Sequence, residues 1–354
     1  MANELRIDSN NIHQTQYESR SIFLETYKKT KLANLIGWPK IKENELISAQ
    51  KLGKTINSMT DMPIYVQRYT KSFKQGAIQI PLVYRSEGAL SSMRAKQLPV
   101  AKEMSAVTDT LELDIMTDAI KADWKLTMID SQLDLESNAK RQLYGNYTDK
   151  LDTKIHDVLQ ANPTQKYFPN GKSTTGSGSG AITSSDKITF DFLREMREAS
   201  QEETPGSVLR VEPFEFESNE FHIFLMNQKL ANDLRQDAEY QDALKLALNR
   251  GSLFQHPIFT GVKFMTLDGI VVITSPKCIT STTWGAGAVK GGQVTLMGQR
   301  CLAIAEGETP VIREAVQEFQ GLQPKWWIEG GFNVKKPKFN NKDYGSYAGY
   351  FAHS

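Results

Sequence analysis

Residues 131–163 read SQLDLESNAKRQLYGNYTDKLDTKIHDVLQANP. Apolar side chains recur every three to four positions along this stretch, at Leu135, Ala139, Leu143, Tyr147, Leu151, Ile155 and Leu159. This period is typical of one face of an α-helix. We therefore predict one amphipathic helix over residues 131–159, about 45 Å long at 1.5 Å per residue. Asn162-Pro163 ends it, because proline cannot continue a helix. Such a helix is far longer than the usual length of about three turns.

Upstream, residues 62–85 change to a period of two. Apolar side chains occupy alternate positions on both sides of a glycine-containing connector at residues 71–76, namely Ile64, Val66, Ile78, Ile80, Leu82 and Tyr84. Two alternating runs around such a connector predict a long β-hairpin. A two-stranded hairpin is not stable alone in water, so we expect it to lie across a neighbouring subunit.

Basic side chains are concentrated in and just after this hairpin. They are Arg68, Lys71, Lys74, Arg85, Arg94 and Lys96, with very few acids among them. Complementary charge across a protein interface gives register and specificity. We therefore predict these six residues as contacts between subunits, although the same pattern also suits nucleic-acid binding or a solvated surface.

The rest of the chain mixes helices and strands, which indicates an α+β protein. Residues 1–16 are polar and aperiodic and predict an extended arm, and residues 17–36 predict an amphipathic helix ended by Gly37. A strand is predicted at residues 111–115. Residues 170–186 are rich in Gly and Ser and predict a flexible surface loop. Beyond them the patterns predict helices at residues 190–200 and 227–248, strands at 221–226 and 269–274, and a strand with a turn at 292–305.

The composition narrows the class of protein. The 42 basic and 41 acidic residues give a formal net charge of +1, whereas nucleic-acid readers usually carry a basic excess. Cys278 and Cys301 stand alone, and we predict that both are buried reduced thiols. The first residues lack the layout of a signal peptide, and no run of about 18 apolar residues exists. These features predict a protein made in a reducing cytoplasm, with no membrane contact.

No assembled active site is visible in the sequence. Gly171-Lys172-Ser173-Thr174 resembles part of a phosphate loop, but Lys166 stands where that motif needs glycine. The five histidines show no metal-ligand spacing, and no Gly-x-Ser-x-Gly motif is present. We predict no catalytic residue, no cofactor and no metal.

Three further patterns favour ordinary structural roles. His156 lies beside Asp152 and Asp157, which favours a surface ion pair, and His222 lies in an apolar strand, which favours a core or interface histidine. Aromatic residues cluster near the C-terminus, at Trp326, Trp327, Phe332, Phe339, Tyr344, Tyr347, Tyr350 and Phe351. Interleaved lysines give this cluster the look of a single-strand nucleic-acid strip. A pair of strands with one buried face explains it better.

Several segments resemble, in order and spacing, a widespread family of major capsid proteins of tailed bacteriophages. They are FHIFL at residues 221–225, HPIFTG at 256–261, LDGIVV at 267–272, GQRCLAIA at 298–305, and the closing Lys338-Phe339 and Asp343-Tyr344-Gly345. The long helix also matches the pattern of that family, so the resemblance covers roughly residues 60–352. It implies a shell-building subunit, not an enzyme.

The resemblance implies the Hong Kong 97-like α+β fold. Its parts would be an N-terminal arm (1–60), an extended hairpin loop (61–98), a peripheral domain with a long spine helix (99–162), an axial domain (163–310), and a C-terminal return to the peripheral domain (311–354). The implied partners are further copies in pentamers and hexamers, portal and scaffolding proteins, and packaged DNA held non-specifically. The implied location is the virion capsid, assembled in the bacterial host cytoplasm.

Three other functions fit parts of the pattern. An encapsulin-type compartment would share the fold but package enzyme cargo instead of DNA. Another virion protein, from a tail or a decoration, would form tubes or trimers. An enzyme could use the Gly-Ser segment as a lid over its site.

Overall fold

The computed structural model of the protein describes a defined part of the chain. The described residues are 63–68, 77–83, 106–121, 135–175, 180–202, 209–216, 219–242, 265–267, 269–285, 288–307, 311–317 and 323–353. The predicted N-terminal arm and its helix at residues 17–36 lie outside this part.

The predicted long helix is confirmed within the described residues. Helix α1 spans Leu135–Gln160, 26 residues, which corresponds to about 39 Å. The predicted residues 131–134 lie outside the description. Leu143, Leu151 and Ile155 are fully buried, as the apolar period requires. The helix ends where expected, because Asn162 takes a positive φ of 41° immediately before Pro163.

Two shorter helices follow. Helix α2 spans Phe190–Gln201, and the Thr189 side chain accepts a hydrogen bond from the backbone of Phe192 at its start. Helix α3 spans Gln228–Gln236. The helix predicted over residues 227–248 is interrupted at Asp237, residues 238–242 are helical again, and residues 243–248 lie outside the described part. The Asp237 carboxylate accepts a hydrogen bond from the Phe190 backbone N–H at 2.9 Å. This tertiary bond, which the sequence period does not reveal, joins the ends of α2 and α3.

The described strands are numbered in chain order. They are β1 Ile64–Arg68, β2 Ala77–Val83, β3 Ala106–Glu112, β4 Ile115–Lys121, β5 Lys166–Tyr167, β6 Phe214–Phe216, β7 Asn219–Met226, β8 Met265–Leu267, β9 Ile270–Thr274, β10 Thr280–Trp284, β11 Val289–Met297, β12 Leu302–Glu306, β13 Val311–Gln317, β14 Gln323–Lys335, β15 Lys338–Phe339, β16 Lys342–Asp343 and β17 Ser346–Ala352.

Two sheets hold most of these strands. Sheet one has the order β1-β12-β14-β13. Strand β4 also pairs with β14, on the edge opposite β13. Sheet two has the order β5-β17-β11-β7-β9-β8, with β10 added to β11 and β6 to β7. Helix α1 packs on sheet one, since Leu143 and Leu151 share a hydrophobic cluster with Ile328 and Phe332 of β14. A second cluster joins α2 and α3 to sheet two and includes Phe224 of β7.

The predicted hairpin pairing is wrong. Strand β1 pairs in parallel with β12, with Ile64 opposite Leu302, and not with the run that follows it. Strand β2 pairs in antiparallel fashion with β3, from Ala77 opposite Glu112 to Val83 opposite Ala106. Alternation marks a strand but does not select its partner, and here burial of Ile64 in the main core favours the distant pairing of β1.

Several smaller predictions can also be compared with the structure. Cys278 and Cys301 are buried as thiols, as expected, and His222 is a core histidine. His156 is fully buried, so its predicted ion pair does not lie on the surface. Its Nδ1 lies 3.7 Å from Asp152 Oδ1, and the other carboxylate oxygen of Asp152 lies 2.9 Å from Lys277 Nζ.

The Gly-Ser segment is more ordered than predicted where the structure describes it. Ser173 donates its backbone N–H to the Gly180 carbonyl at 2.8 Å, and Lys172 pairs with Asp186 at 2.7 Å. The C-terminal aromatics lie on strands as predicted, except Tyr344, which lies in the turn between β16 and β17; Trp326 and Phe351 are buried. These strands, β14 and β17, belong to different sheets and do not form the pair that was expected.

Candidate assembly interface

The first candidate surface is the ribbon formed by β2 and β3. These two strands form a sheet of their own and pair with no other described strand. The base of the ribbon is fixed to sheet one, because Leu111 of β3 packs against Ala303 and Ala305 of β12. Asn333 also donates its side-chain N–H to the Glu112 carbonyl at 2.7 Å. The ribbon is therefore anchored at one end only among the described contacts.

An ion pair strengthens this base. Lys335 Nζ lies 2.5 Å from Asp109 Oδ1 and donates to the Thr110 carbonyl at 2.8 Å. The other carboxylate oxygen of Asp109 accepts the backbone N–H of Lys338 at 3.4 Å. Asp109 thus links the ribbon both to β14 and to β15, and it fixes the direction in which the ribbon leaves sheet one.

Of the six basic residues predicted as contacts between subunits, the described part of the chain includes only Arg68. Arg68 is the last residue of β1, opposite Glu306 in register, and so belongs to sheet one and not to the ribbon. The other five lie outside the described residues. In sequence, Lys71 and Lys74 separate β1 from β2, while Arg85 and Arg94, with Lys96, belong to the 84–105 segment that joins β2 to β3.

The second candidate surface is the face of β4, β14 and β13 opposite α1, which we call the outer face. Trp326, Ile328 and Phe332 of β14 point to the core, whereas the intervening Trp327 is half-buried. Along β4 the exposed positions alternate in the same way. Ile115, at the start of β4, is 77% exposed. Ile115 and Trp327 leave apolar surface uncovered on this face, which makes it a candidate contact surface for another protein.

The outer face is held in a fixed geometry. Trp327 lies between Ala119 of β4 and Arg313 of β13. Its indole Nε1–H donates to Glu329 Oε1 at 2.8 Å, and the other oxygen of Glu329 lies 3.3 Å from Arg313 Nε. Tryptophan and arginine are the residues most often dominant in protein interfaces. The sequence analysis explained the C-terminal aromatics by strands with one buried face, and it assigned no partner to the other face.

Within the described ranges, no group of three or more His, Cys, Asp or Glu side chains is arranged to bind a metal ion. None of the helices in that part of the chain combines the length and apolar character needed to cross a membrane.

Burial of His222 makes the folded chain sensitive to acid. Desolvation, with a smaller effect from Arg197, lowers the pKa of His222 to about 4. The unfolded chain, with a His pKa of about 6.5, binds this proton more readily, so stability falls as pH decreases from about 6.5 to 4. We expect a loss of about 3 kcal/mol across that window. We expect His222→Gln to remove most of this pH dependence of stability, as measured by urea unfolding at a series of pH values. An unchanged pH dependence would contradict its assignment to His222.

The family profile and the solved structures that match the chain point to the same class of protein. A family profile described as "Phage capsid protein" matches residues 6–345. No curated protein sequence matches the chain significantly. Among solved structures, the capsid of Ralstonia phage GP4 is similar with a TM-score of 0.65 and 16% identity, covering 83% of this chain and 88% of that one.

Two further structures give the same result. The capsid of cyanophage Pam1 has a TM-score of 0.65 and 17% identity, covering 81% of this chain and 88% of that chain. The head of Helicobacter pylori bacteriophage KHP40 has a TM-score of 0.64 and 11% identity, covering 83% of this chain and 88% of that chain. The TM-scores show a shared fold, and identities this low show the fold alone.

Proposed function

Because the chain belongs to the phage capsid protein family, whose profile spans residues 6–345, we propose that the ribbon and the outer face are the surfaces through which it builds a shell. The chain is a major capsid protein of the virion, and copies of it self-assemble into the shell. The predicted Hong Kong 97-like α+β fold is confirmed by the structural similarity to phage capsids.

The ribbon is proposed to lie across a neighbouring subunit. The observation that carries this proposal is that β2 and β3 pair only with each other among the described strands, while their base is fixed to sheet one by Leu111 and Asp109. A two-stranded sheet gains its stability from a third partner. In a self-assembling shell that partner is a second copy, and the basic residues of the 69–76 and 84–105 segments supply the charge.

The outer face is proposed to be buried against a second copy as well. Ile115 is largely exposed, and Trp327 is held in one orientation by Glu329, which reduces the entropy lost when a partner covers it. Interfaces of about 800 Å² per side repeated around the shell would make the order of each subunit depend on assembly.

Finer features of the shell are proposed from the family. The chain has five parts, with the boundaries given in the sequence analysis. Two separate hydrophobic clusters, one that includes α1 and one that includes α2 and α3, support two main domains. The subunits form pentamers and hexamers, with portal and scaffolding proteins as further partners. The near-neutral charge of +1 suits non-specific contact with packaged DNA, and assembly occurs in the bacterial cytoplasm.

Ile115→Asp is expected to reduce closed particles at least tenfold, because a charge at this exposed position must be desolvated when a neighbour covers it. The full chain would be expressed alone and with its neighbouring genes, and particles counted by negative-stain electron microscopy. Circular dichroism of unassembled subunits should match the parent, since the side chain is exposed in the subunit. Ile115→Val keeps the apolar contact and should assemble normally. Normal shells from the aspartate variant would contradict a buried outer face.

Reversing Lys71 and Lys74 to Glu is expected to hinder assembly more than folding, because both lysines are predicted to meet acidic groups of a neighbour. The measurements are particle yield by microscopy and the unfolding midpoint of the unassembled chain. A control with the same charge change is Arg141→Glu with Lys150→Glu, at two exposed positions of α1. Parent-like particles from the first double variant would rule out the contact, and tubes or trimers in place of closed shells would favour a tail or decoration protein.

A further inference from the structure

Five buried side chains between α1 and sheet two carry a polar atom with no hydrogen-bond partner in the described part of the chain. They are Asp152 Oδ1, His156 Nε2, Gln160 Nε2, Gln293 Nε2 and Thr295 Oγ1. All five residues are at most 8% exposed. Buried polar atoms nearly always have partners, so a group of five in one region requires an explanation.

The five residues face one another across the contact between α1 and β11. Asp152, His156 and Gln160 are spaced by four along α1 and share one helix face. Gln293 and Thr295 are two apart on β11 and share one strand face, which also carries Met297 of the cluster that includes α1. The backbone of Ile279 joins the two sides. Its N–H donates to Gln160 Oε1 at 2.8 Å, and its carbonyl accepts the Gln293 N–H at 3.1 Å. We call these five residues the polar seam.

The hydrogen-bonding character of the seam is mixed. His156 Nδ1 lies 2.7 Å from the Asp152 carbonyl, which only accepts, so Nδ1 carries the hydrogen and Nε2 is an acceptor. Gln160 uses its oxygen for Ile279 and therefore presents amide N–H donors, as does Gln293. The Thr295 hydroxyl both donates and accepts. The seam thus presents donors and acceptors, and its only charged member, Asp152, is paired with Lys277 at 2.9 Å.

We propose that the polar seam binds ordered water molecules that connect α1 to sheet two. A cation would meet the amide donors of Gln160 and Gln293, and an anion would meet the imidazole lone pair and the Asp152 carboxylate. Water is small, neutral, and able to donate and accept at once, and buried waters typically join about three such groups. The other half of α1 differs, because Leu143 and Tyr147 pack there directly against β14 residues.

A high-resolution cryo-electron microscopy map of the assembled full-length shell tests the proposal. It should show at least one ordered water about 2.7–3.2 Å from an unpaired seam atom on α1 and at least one at the same distance from Thr295 or Gln293 on β11. A seam in which His156, Gln160, Gln293 and Thr295 bond directly to one another, with no water density, would overturn it.

A pair of variants makes the assignment specific. Thr295→Val keeps the shape of the side chain and removes the hydroxyl, so the water bound to it should disappear from the map. Thr148→Val is the matched control, because the Thr148 hydroxyl is buried and already donates to the Tyr144 carbonyl at 2.7 Å; the seam waters should remain. Density that persists beside a valine at position 295 would refute the assigned site.

Discussion

Lys336→Met is expected to lower the free energy of unfolding by about 3–5 kcal/mol, because it leaves the Asp343 carboxylate buried without its cation. Lys336 Nζ lies 3.0 Å from Asp343 Oδ2, and the two side chains are 6% and 1% exposed. The same ammonium group donates to the Ala161 carbonyl at 2.9 Å, at the C-terminal end of α1, where a cation is favoured by the helix dipole.

The pair also organises the chain after α1. Asp343 Oδ2 accepts the Thr164 backbone N–H at 2.8 Å, and the Asp343 backbone N–H donates to the Thr164 hydroxyl at 2.7 Å. Gln165 donates to the Asp343 carbonyl at 2.8 Å. Removal of the cation therefore weakens the connection between the end of α1 and β16. It also leaves the buried Asp343 carboxylate without a counter-charge.

Urea unfolding of the unassembled chain measures this effect, and a double variant identifies its cause. Burial lowers the pKa of Lys336, opposed by the nearby Asp343, so desolvation dominates the attraction. Replacing both charges, as in Lys336→Met with Asp343→Asn, should recover much of the loss, because the asparagine amide oxygen can still accept the Thr164 N–H. Lys338→Met, at an exposed lysine two positions away, should change stability by no more than about 0.5 kcal/mol. A single Lys336 variant as stable as this control would show that the pair contributes little.

Local patterns predicted the elements of this fold better than their partners. The period of Leu143, Leu151 and Ile155 is a property of one segment, and it located α1 closely. Alternation located β1 and β2, but it only requires that one face be covered, and any suitable strand can cover it. Strand β1 is paired with β12, more than 200 positions away, because Ile64 fills the main core. Such pairings depend on the whole chain and leave no local signal.

The buried polar side chains of the seam and the exposed side of β4 also depend on tertiary contacts that leave no local signal. A single apolar stripe on α1 predicts one covered face, yet α1 contacts both sheets, so His156 and Gln160 beside the stripe are buried too. The sequence IMTDAIK of β4 has apolar residues on both sides of the strand, and only the fold shows that Met116 faces the core and Ile115 does not. The basic residues remain predictions, because most lie outside the described residues.

Gly345→Ala is expected to destabilise the chain by about 3 kcal/mol or more, from two separate causes. Gly345 has a φ of +70°, and an added Cβ would lie 2.2 Å from the Gln299 carbonyl oxygen and 3.0 Å from the Cys301 nitrogen. The left-handed conformation costs an L-residue about 1–2 kcal/mol, and the steric overlap adds a cost typical of overpacking, about 1–3 kcal/mol. Since Gly345 accepts the Gly298 backbone N–H at 2.8 Å, the backbone has little freedom to move away.

Two other glycines separate these causes in the same urea unfolding measurement. Gly171 has a φ of +68° with nothing within 4 Å of an added Cβ, so Gly171→Ala should show the conformational cost alone. Gly145, inside α1, has open space and no positive φ, so Gly145→Ala should stabilise the chain by about 0.5–1 kcal/mol. If the Gly345 variant lost no more stability than the Gly171 variant, the close approach to Gln299 would not explain why glycine stands at the end of the Asp-Tyr-Gly segment. A larger loss would assign that glycine to the tight contact between the turn before β17 and the turn before β12.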